Sequence, residues 1–161
     1  MKSLTLAAAF LLGFTAIALA GGSVGEITDL VKSAFDPATG TFVDGAYDIL
    51  IEADALIEEA LLLDYEDPNE AKTVTGLNCL VKYNLACLAS IDGNTDEAFD
   101  WLGSSIDAGY CDVEWMAEDA DLDPLRGDDR FVELISVAEA MIAEYCDDSG
   151  PCCGEHEECS H

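Results

Sequence analysis

Basic residues are scarce in this 161-residue chain: six Lys and Arg stand against 34 Asp and Glu. A field of that sign repels phosphate backbones and anionic headgroups, which excludes nucleic acid and lipid surfaces as partners. It attracts cations, whether basic peptides or metal ions, although acidity of this kind also serves solubility or tolerance of salt that screens the repulsion. Histidine is almost missing, and both copies, His156 and His161, fall near the C-terminus. No Ser-His-Asp or Cys-His arrangement is therefore expected within a rigid core. No phosphate-cradling glycine-rich motif ends in Lys-Ser/Thr, and Gly21-Gly22-Ser23-Val24-Gly25 reads as a flexible linker. Sustained polar–apolar alternation is absent, so no sheet is expected. After residue 20 no apolar run looks long enough to cross a membrane.

What is present begins with an export signal. Lys2 precedes an apolar run, Leu4 to Leu19, without an acid, and the run closes on Ala18-Leu19-Ala20, the small-x-small pattern that a signal peptidase accepts. The run is slightly short for a span of about 20 residues, and no Cys follows the site to carry a lipid. Residues 1–20 are thus expected to be removed, giving a secreted or periplasmic product with no membrane attachment after cleavage. Loss of Lys2 takes the formal charge from −28 to −29. All seven cysteines lie in the mature part, where disulfides are permitted; seven being odd, at least one thiol is free, metal-bound or paired with another molecule.

The remainder reads as all-α. Residues 21–44 form a linker with a short helix over Glu26–Phe35. Between Ala46 and Asp64 the apolar residues Ala46, Ile49, Leu50, Ala53, Leu56, Ile57, Ala60 and Leu63 follow the helical period. The opposite face is acidic throughout, with like charges one turn apart at Asp48/Glu52 and Asp54/Glu58, so this helix needs tertiary burial to persist. Asp67-Pro68-Asn69 marks a break. A second helix is expected over Gly76–Ile91, with Leu77, Leu80, Val81, Asn84, Leu85, Leu88 and Ile91 on one stripe. Gly93-Asn94 turns the chain, Thr95 caps a third helix that stops at Gly109, and Asp128 caps a last one.

Residues 83–110 place large, small, turn, small, large and large residues at Leu85, Ala86, Gly93, Ala98, Leu102 and Ile106. That order resembles one tetratricopeptide repeat of the secreted bacterial type, in which antiparallel helices cross through small residues. The stretch from Asp112 to Ile135 resembles the closing segment that follows such repeats. Lys82 and Ala89 depart from the pattern, which has large aromatics there, and Ser105 replaces an Ala. The resemblance implies antiparallel hairpins stacked as a short solenoid over residues 45–146, acting as a protein- or peptide-interaction module without enzymatic activity. It also implies that Asn84 faces the binding groove. The Lys and Arg of a carboxylate clamp are missing beside it, and a satisfied polar residue at a helix contact is the plainer account of Asn84. The partner expected is a protein or peptide of basic character; no cofactor is expected.

The tail, residues 147–161, is expected to hold the chain's other chemistry. Cys152, Cys153, His156, Cys159 and His161 are thiolate and imidazole donors among acids, which suits zinc or copper. The spacing matches no usual zinc pattern, and an oxidising compartment favours disulfides to the tail. Asp119-x-Asp121-x-Asp123 imitates the start of a calcium loop, but Pro124 and Arg130 occupy positions that need Gly and a bidentate Glu. If the tail is a metal site, elemental analysis of the full mature chain finds stoichiometric zinc or copper that is lost when the chain ends at Tyr145; no metal in either sample retires that reading.

Overall fold

A computed structural model of the chain describes residues 22–145. The expected signal peptide and the candidate metal ligands Cys152, Cys153, His156, Cys159 and His161 lie outside the described residues. Those that are described are mostly helical and include no named strand, only an isolated antiparallel bridge between Phe35 and Phe42.

The first helix, α1 (Val24–Ser33), starts on a capping box: Ser23 Oγ accepts from the Glu26 N–H while the Glu26 carboxylate accepts from the Ser23 N–H. Its Ile27 and Val31 are buried against α2 and α3, so the stretch expected as a linker contributes to the core. Residues 36–41 fold into a tight turn, with Asp36 Oδ1 accepting from the N–H groups of Ala38 and Thr39. Helix α2 (Ala46–Ala60) buries Ala46, Leu50, Ala53, Ile57 and Ala60, one face of the periodic stripe. It ends before Leu63, which is exposed.

Helix α3 (Pro68–Ile91) begins eight residues earlier than the periodicity predicts. Asp67-Pro68-Asn69 is a helix start as well as a break: Asp67 accepts from the Asn69 N–H, and Pro68 occupies the first turn, where its missing N–H is not needed. This 24-residue helix is in fact long and apolar enough to cross a membrane by length and composition, contrary to expectation. It serves as the core helix, touching α1, α2, α4 and the later 3-10 helix. Its buried residues therefore run around most of the circumference instead of forming one stripe, and Leu80 and Ile91, expected inside, are 42% and 53% exposed.

After Gly93 (φ 78°), α4 (Thr95–Asp107) returns along α3. Asn94, not Thr95, holds the N-cap position. The antiparallel register is fixed by the buried Ser105 hydroxyl, which donates to the Cys79 carbonyl at 2.8 Å. Ala86 and Ala98 are both fully buried in the same cluster, as close helix approach requires. Ser105 thus has a structural task an Ala could not perform. Helix α5 (Val113–Glu118), a 3-10 helix (Ala120–Leu125) and α6 (Asp129–Tyr145) complete the order, with Met116, Leu122, Leu125, Phe131 and Ala138 closing the core on this side. The successive helices of 10, 15, 24 and 13 residues are not the equal pairs that a regular repeat stacks.

Each fully buried Leu or Ile contributes roughly 1.5–3 kcal/mol, against a few tenths for each like-charge pair on α2. The worst of those pairs is also answered directly. Lys82, only 8% exposed, donates to Asp54 at 2.7 Å and Glu58 at 2.8 Å, tying α3 to α2. Burial alone would lower the Lys82 pKa; hydrogen bonds and charge from Asp54 and Glu58 outweigh it and hold the pKa above its ordinary value of 10.5. Lys82→Met should destabilise the chain by about 1–3 kcal/mol in urea unfolding, because it strands Asp54 without its donor. The raised folded-state pKa means that this contribution is complete below the ordinary lysine value and is lost as pH rises through the folded one. The gap between wild type and variant should accordingly close in strongly alkaline buffer, and a gap independent of pH would contradict the ion-pair account.

Candidate functional site

One side of α3 carries the exposed Leu80 and Ile91, the half-buried Asn84 and, along its edge, the buried Tyr83 and Cys87, spaced three or four residues apart. Opposite them stand the Phe35–Phe42 turn, Tyr110, Trp115 and the start of the 3-10 helix. Together they enclose an open cleft of about 470 Å³. Its walls are aromatic. Tyr83 and Tyr110 stack with ring centroids 4.3 Å apart and planes at 14°, Phe35 and Phe42 meet at 5.1 Å, and Trp115 is 54% exposed.

Its floor is acidic. Asp119 caps the 3-10 helix through Oδ1, which accepts from the Asp121 N–H at 3.0 Å. The other oxygen accepts from the Tyr83 hydroxyl at 2.7 Å and from the Cys87 thiol at 3.7 Å. Arg126 Nη2 donates to the Asp119 carbonyl at 2.6 Å, fixing the turn from behind. Cys87, Asp119 and Asp121 each bring one donor atom within 4.8 Å of the others. The Asp121 carboxylate itself has no hydrogen bond or ion pair among the described residues. The three acids of the sequence run thus separate in use: Asp119 caps and anchors, Asp121 faces the cleft, and Asp123 pairs with Arg126.

Charge in the cleft is costly, and each group shows it. The Tyr83 hydroxyl is pushed up by burial and by its bond to Asp119. Burial, then the charges of Asp119 and Asp121, push the Cys87 thiol up. Tyr110 rises by burial and the charge of Asp112, and Asp121 by burial and the charge of Asp119. A divalent ion on Cys87, Asp119 and Asp121 would have to expel the thiol proton and draw Asp119 away from Tyr83. Cys87 is buried, yet it borders the cleft floor.

Asn84 lines the cleft, half-buried, its Nδ2 donating to the Leu80 carbonyl at 2.8 Å. Sequence reasoning missed Asp121, Trp115, Tyr110 and the Phe35–Phe42 turn as its neighbours. The available signal was the i, i+3/i+4 spacing of Tyr83, Cys87 and Ile91 around Asn84, which places aromatic, thiol and apolar groups along one side of the helix.

Fold and cleft together define a small helical domain with an aromatic, acidic recess. The family model described as "A/B hydrolase-like, N-terminal domain" matches residues 47–144, and the chain belongs to that family. No curated protein and no solved structure matches it. The family match overturns the tetratricopeptide resemblance. Large and small residues recur across Ala86, Gly93 and Ala98 because any close helical hairpin needs them, so that pattern did not discriminate between families. By spelling, Gly21-Gly22-Ser23-Val24-Gly25 fits the G-x-S-x-G of a hydrolase nucleophile turn. The Ser23 hydroxyl, however, caps α1 and bonds the Glu26 carboxylate at 3.0 Å.

The neutral, buried state of Cys87 has a direct chemical consequence. In the native chain at pH 8 it should react with iodoacetamide at least about tenfold more slowly than an exposed thiol, and at the ordinary rate in urea. Peptide mass spectrometry reads both; rapid native labelling would show that the thiol is not shielded as described.

Proposed function

We propose that this chain is an exported, non-catalytic interaction domain that receives a basic segment of a partner protein or peptide in its aromatic, acidic cleft. One observation carries the reading. Exposed apolar side chains (Leu80, Ile91 and Trp115) share a single open recess with Asp119 and Asp121, two carboxylates that form no ion pair among the described residues. A surface made acidic only for solubility has no reason to set carboxylates among exposed apolar side chains. A basic peptide uses both: its charges are drawn by the −28 field, and its aliphatic parts cover Trp115 and Leu80. The Asn84 side-chain oxygen retains acceptor capacity for a peptide N–H.

The non-catalytic part of the reading has its own support. A hydrolase nucleophile turn joins a strand to a helix, and no strand occurs among the described residues. Ser23 serves as a cap, and Cys87 is held protonated, which deprives it of nucleophilic character. The export reading rests on Lys2, the apolar run and Ala18-Leu19-Ala20.

Calorimetric titration of the full-length chain with a heptapeptide of lysine, alanine and leucine tests this function. Saturable binding is expected, weakening as salt rises from 50 to 300 mM and falling about tenfold in Trp115→Ala, the loss expected for an aromatic anchor. Binding indifferent to Trp115→Ala would reveal diffuse charge attraction, and absence of binding would remove the reading altogether.

A further inference from the structure

The floor of the cleft is more selective than a generally acidic surface. Asp119 is immobilised on every side: one oxygen holds the Asp121 N–H, the other the Tyr83 hydroxyl and Cys87 thiol, and Arg126 grips its carbonyl. Beside it, the Asp121 carboxylate is partly buried and unpartnered among the described residues. With Cys87 Sγ these groups form a compact three-point set, all within 4.8 Å of one another. Three acceptors placed about 2.8 Å from a single tetrahedral nitrogen stand roughly 4.6 Å apart.

Resting on the function proposed above, we infer that the cleft selects a primary ammonium on an alkyl stem, the side chain of a partner lysine. Its three N–H groups meet Asp121, Asp119 and, weakly, Cys87 Sγ, while the stem lies along Tyr83 and Trp115.

Competing cations fit less well. A guanidinium presents a flat fork that wants both oxygens of one carboxylate. The Asp119 oxygens already hold donors, and a fork on Asp121 alone leaves the other two acceptors unmet. A quaternary ammonium is welcome to the rings but brings no N–H for Asp121. A divalent metal must first displace the Cys87 proton and the Tyr83 hydrogen bond. A lysine ammonium requires neither, because Asp119 Oδ1, which accepts only from the Asp121 N–H, has a further lone pair. It also brings positive charge beside Cys87 and Asp121, which burial and neighbouring carboxylates hold back from becoming anionic.

Amide NMR titrations of the full chain at pH 7 test this with small probes. Nα-acetyl-lysine methylamide should shift the Cys87 and Asp121 amides and the Trp115 indole saturably, while its Nε-acetyl form leaves them unmoved. Nα-acetyl-arginine methylamide and tetramethylammonium should bind more weakly than the lysine probe. Asp121→Asn preserves side-chain shape and breaks no described side-chain bond, and it should weaken the lysine probe about tenfold or more, the loss of one charge-assisted hydrogen bond. An arginine probe that binds as tightly, an acetylated lysine that still binds, or an Asp121→Asn variant with undiminished affinity would each overturn the inference. Zinc saturating the same resonances where the lysine probe does not would make the floor a metal site instead. Heptapeptide binding that needs Trp115 but ignores Asp121→Asn leaves the interaction function standing and removes only the lysine pocket; no heptapeptide binding removes both.

Discussion

The fold depends on where its few cations are placed. Three of the six basic residues act as staples between segments whose carboxylates would otherwise only repel. Lys82 joins α3 to the acidic face of α2 through Asp54 and Glu58. Arg126 closes the turn that positions Asp119. Arg130 pairs with Asp128 at the start of α6 and reaches Asp96 on α4, with its guanidinium 4.1 Å from the Phe99 ring centre. The last is a solvent-exposed pair and contributes little by charge alone. Lys82 is different because it is buried, and there the alternative is an unanswered carboxylate in a low-dielectric contact.

Those placements explain what the remaining acids can do. Apolar burial around α3 supplies the bulk of the favourable free energy, and the cations remove the worst like-charge contacts at the helix interfaces. Nothing comparable answers Asp121. Its environment raises the cost of its charge, and neither Arg126, turned toward Asp119 and Asp123, nor Lys82, committed to α2, reaches it. A partly buried carboxylate with no partner among the described residues, set beside aromatic side chains, separates the cleft from the rest of the acidic surface.

Much of the architecture was legible in the sequence because it rests on local rules. The 3.6-residue period located α2 and α6, Gly93 and Gly109 took up positive φ where the turns were expected, and Asp128 caps α6 as read. Ala86 and Ala98, read as small residues at a close helix crossing, are both fully buried in one cluster. The family did not follow, since small residues across a tight turn are a requirement of helix packing shared by many folds. The length of α3 was missed because Asp67-Pro68-Asn69 was read only as an ending. Proline in the first helical turn carries no penalty, so the same residues also begin a helix.

The cleft was only partly legible, and for a physical reason. The tetratricopeptide resemblance, not residue counting, pointed Asn84 toward a groove, and its neighbours in the cleft come from four separate segments: the turn at 36–41, Tyr110, α5 and the 3-10 helix. Their convergence is decided by packing around α3, which no periodicity encodes. Asp119-x-Asp121-x-Asp123 was weighed only against a calcium loop, and its spacing concealed the division of labour that the fold imposes. A 3-10 helix gives three residues per turn, so acids two apart diverge. Asp119 turns back to cap the backbone at the edge of the recess, Asp123 meets Arg126, and Asp121 lines the recess without a partner among the described residues. The acid that lacks a structural task is the one left facing a ligand-sized space walled by aromatic rings.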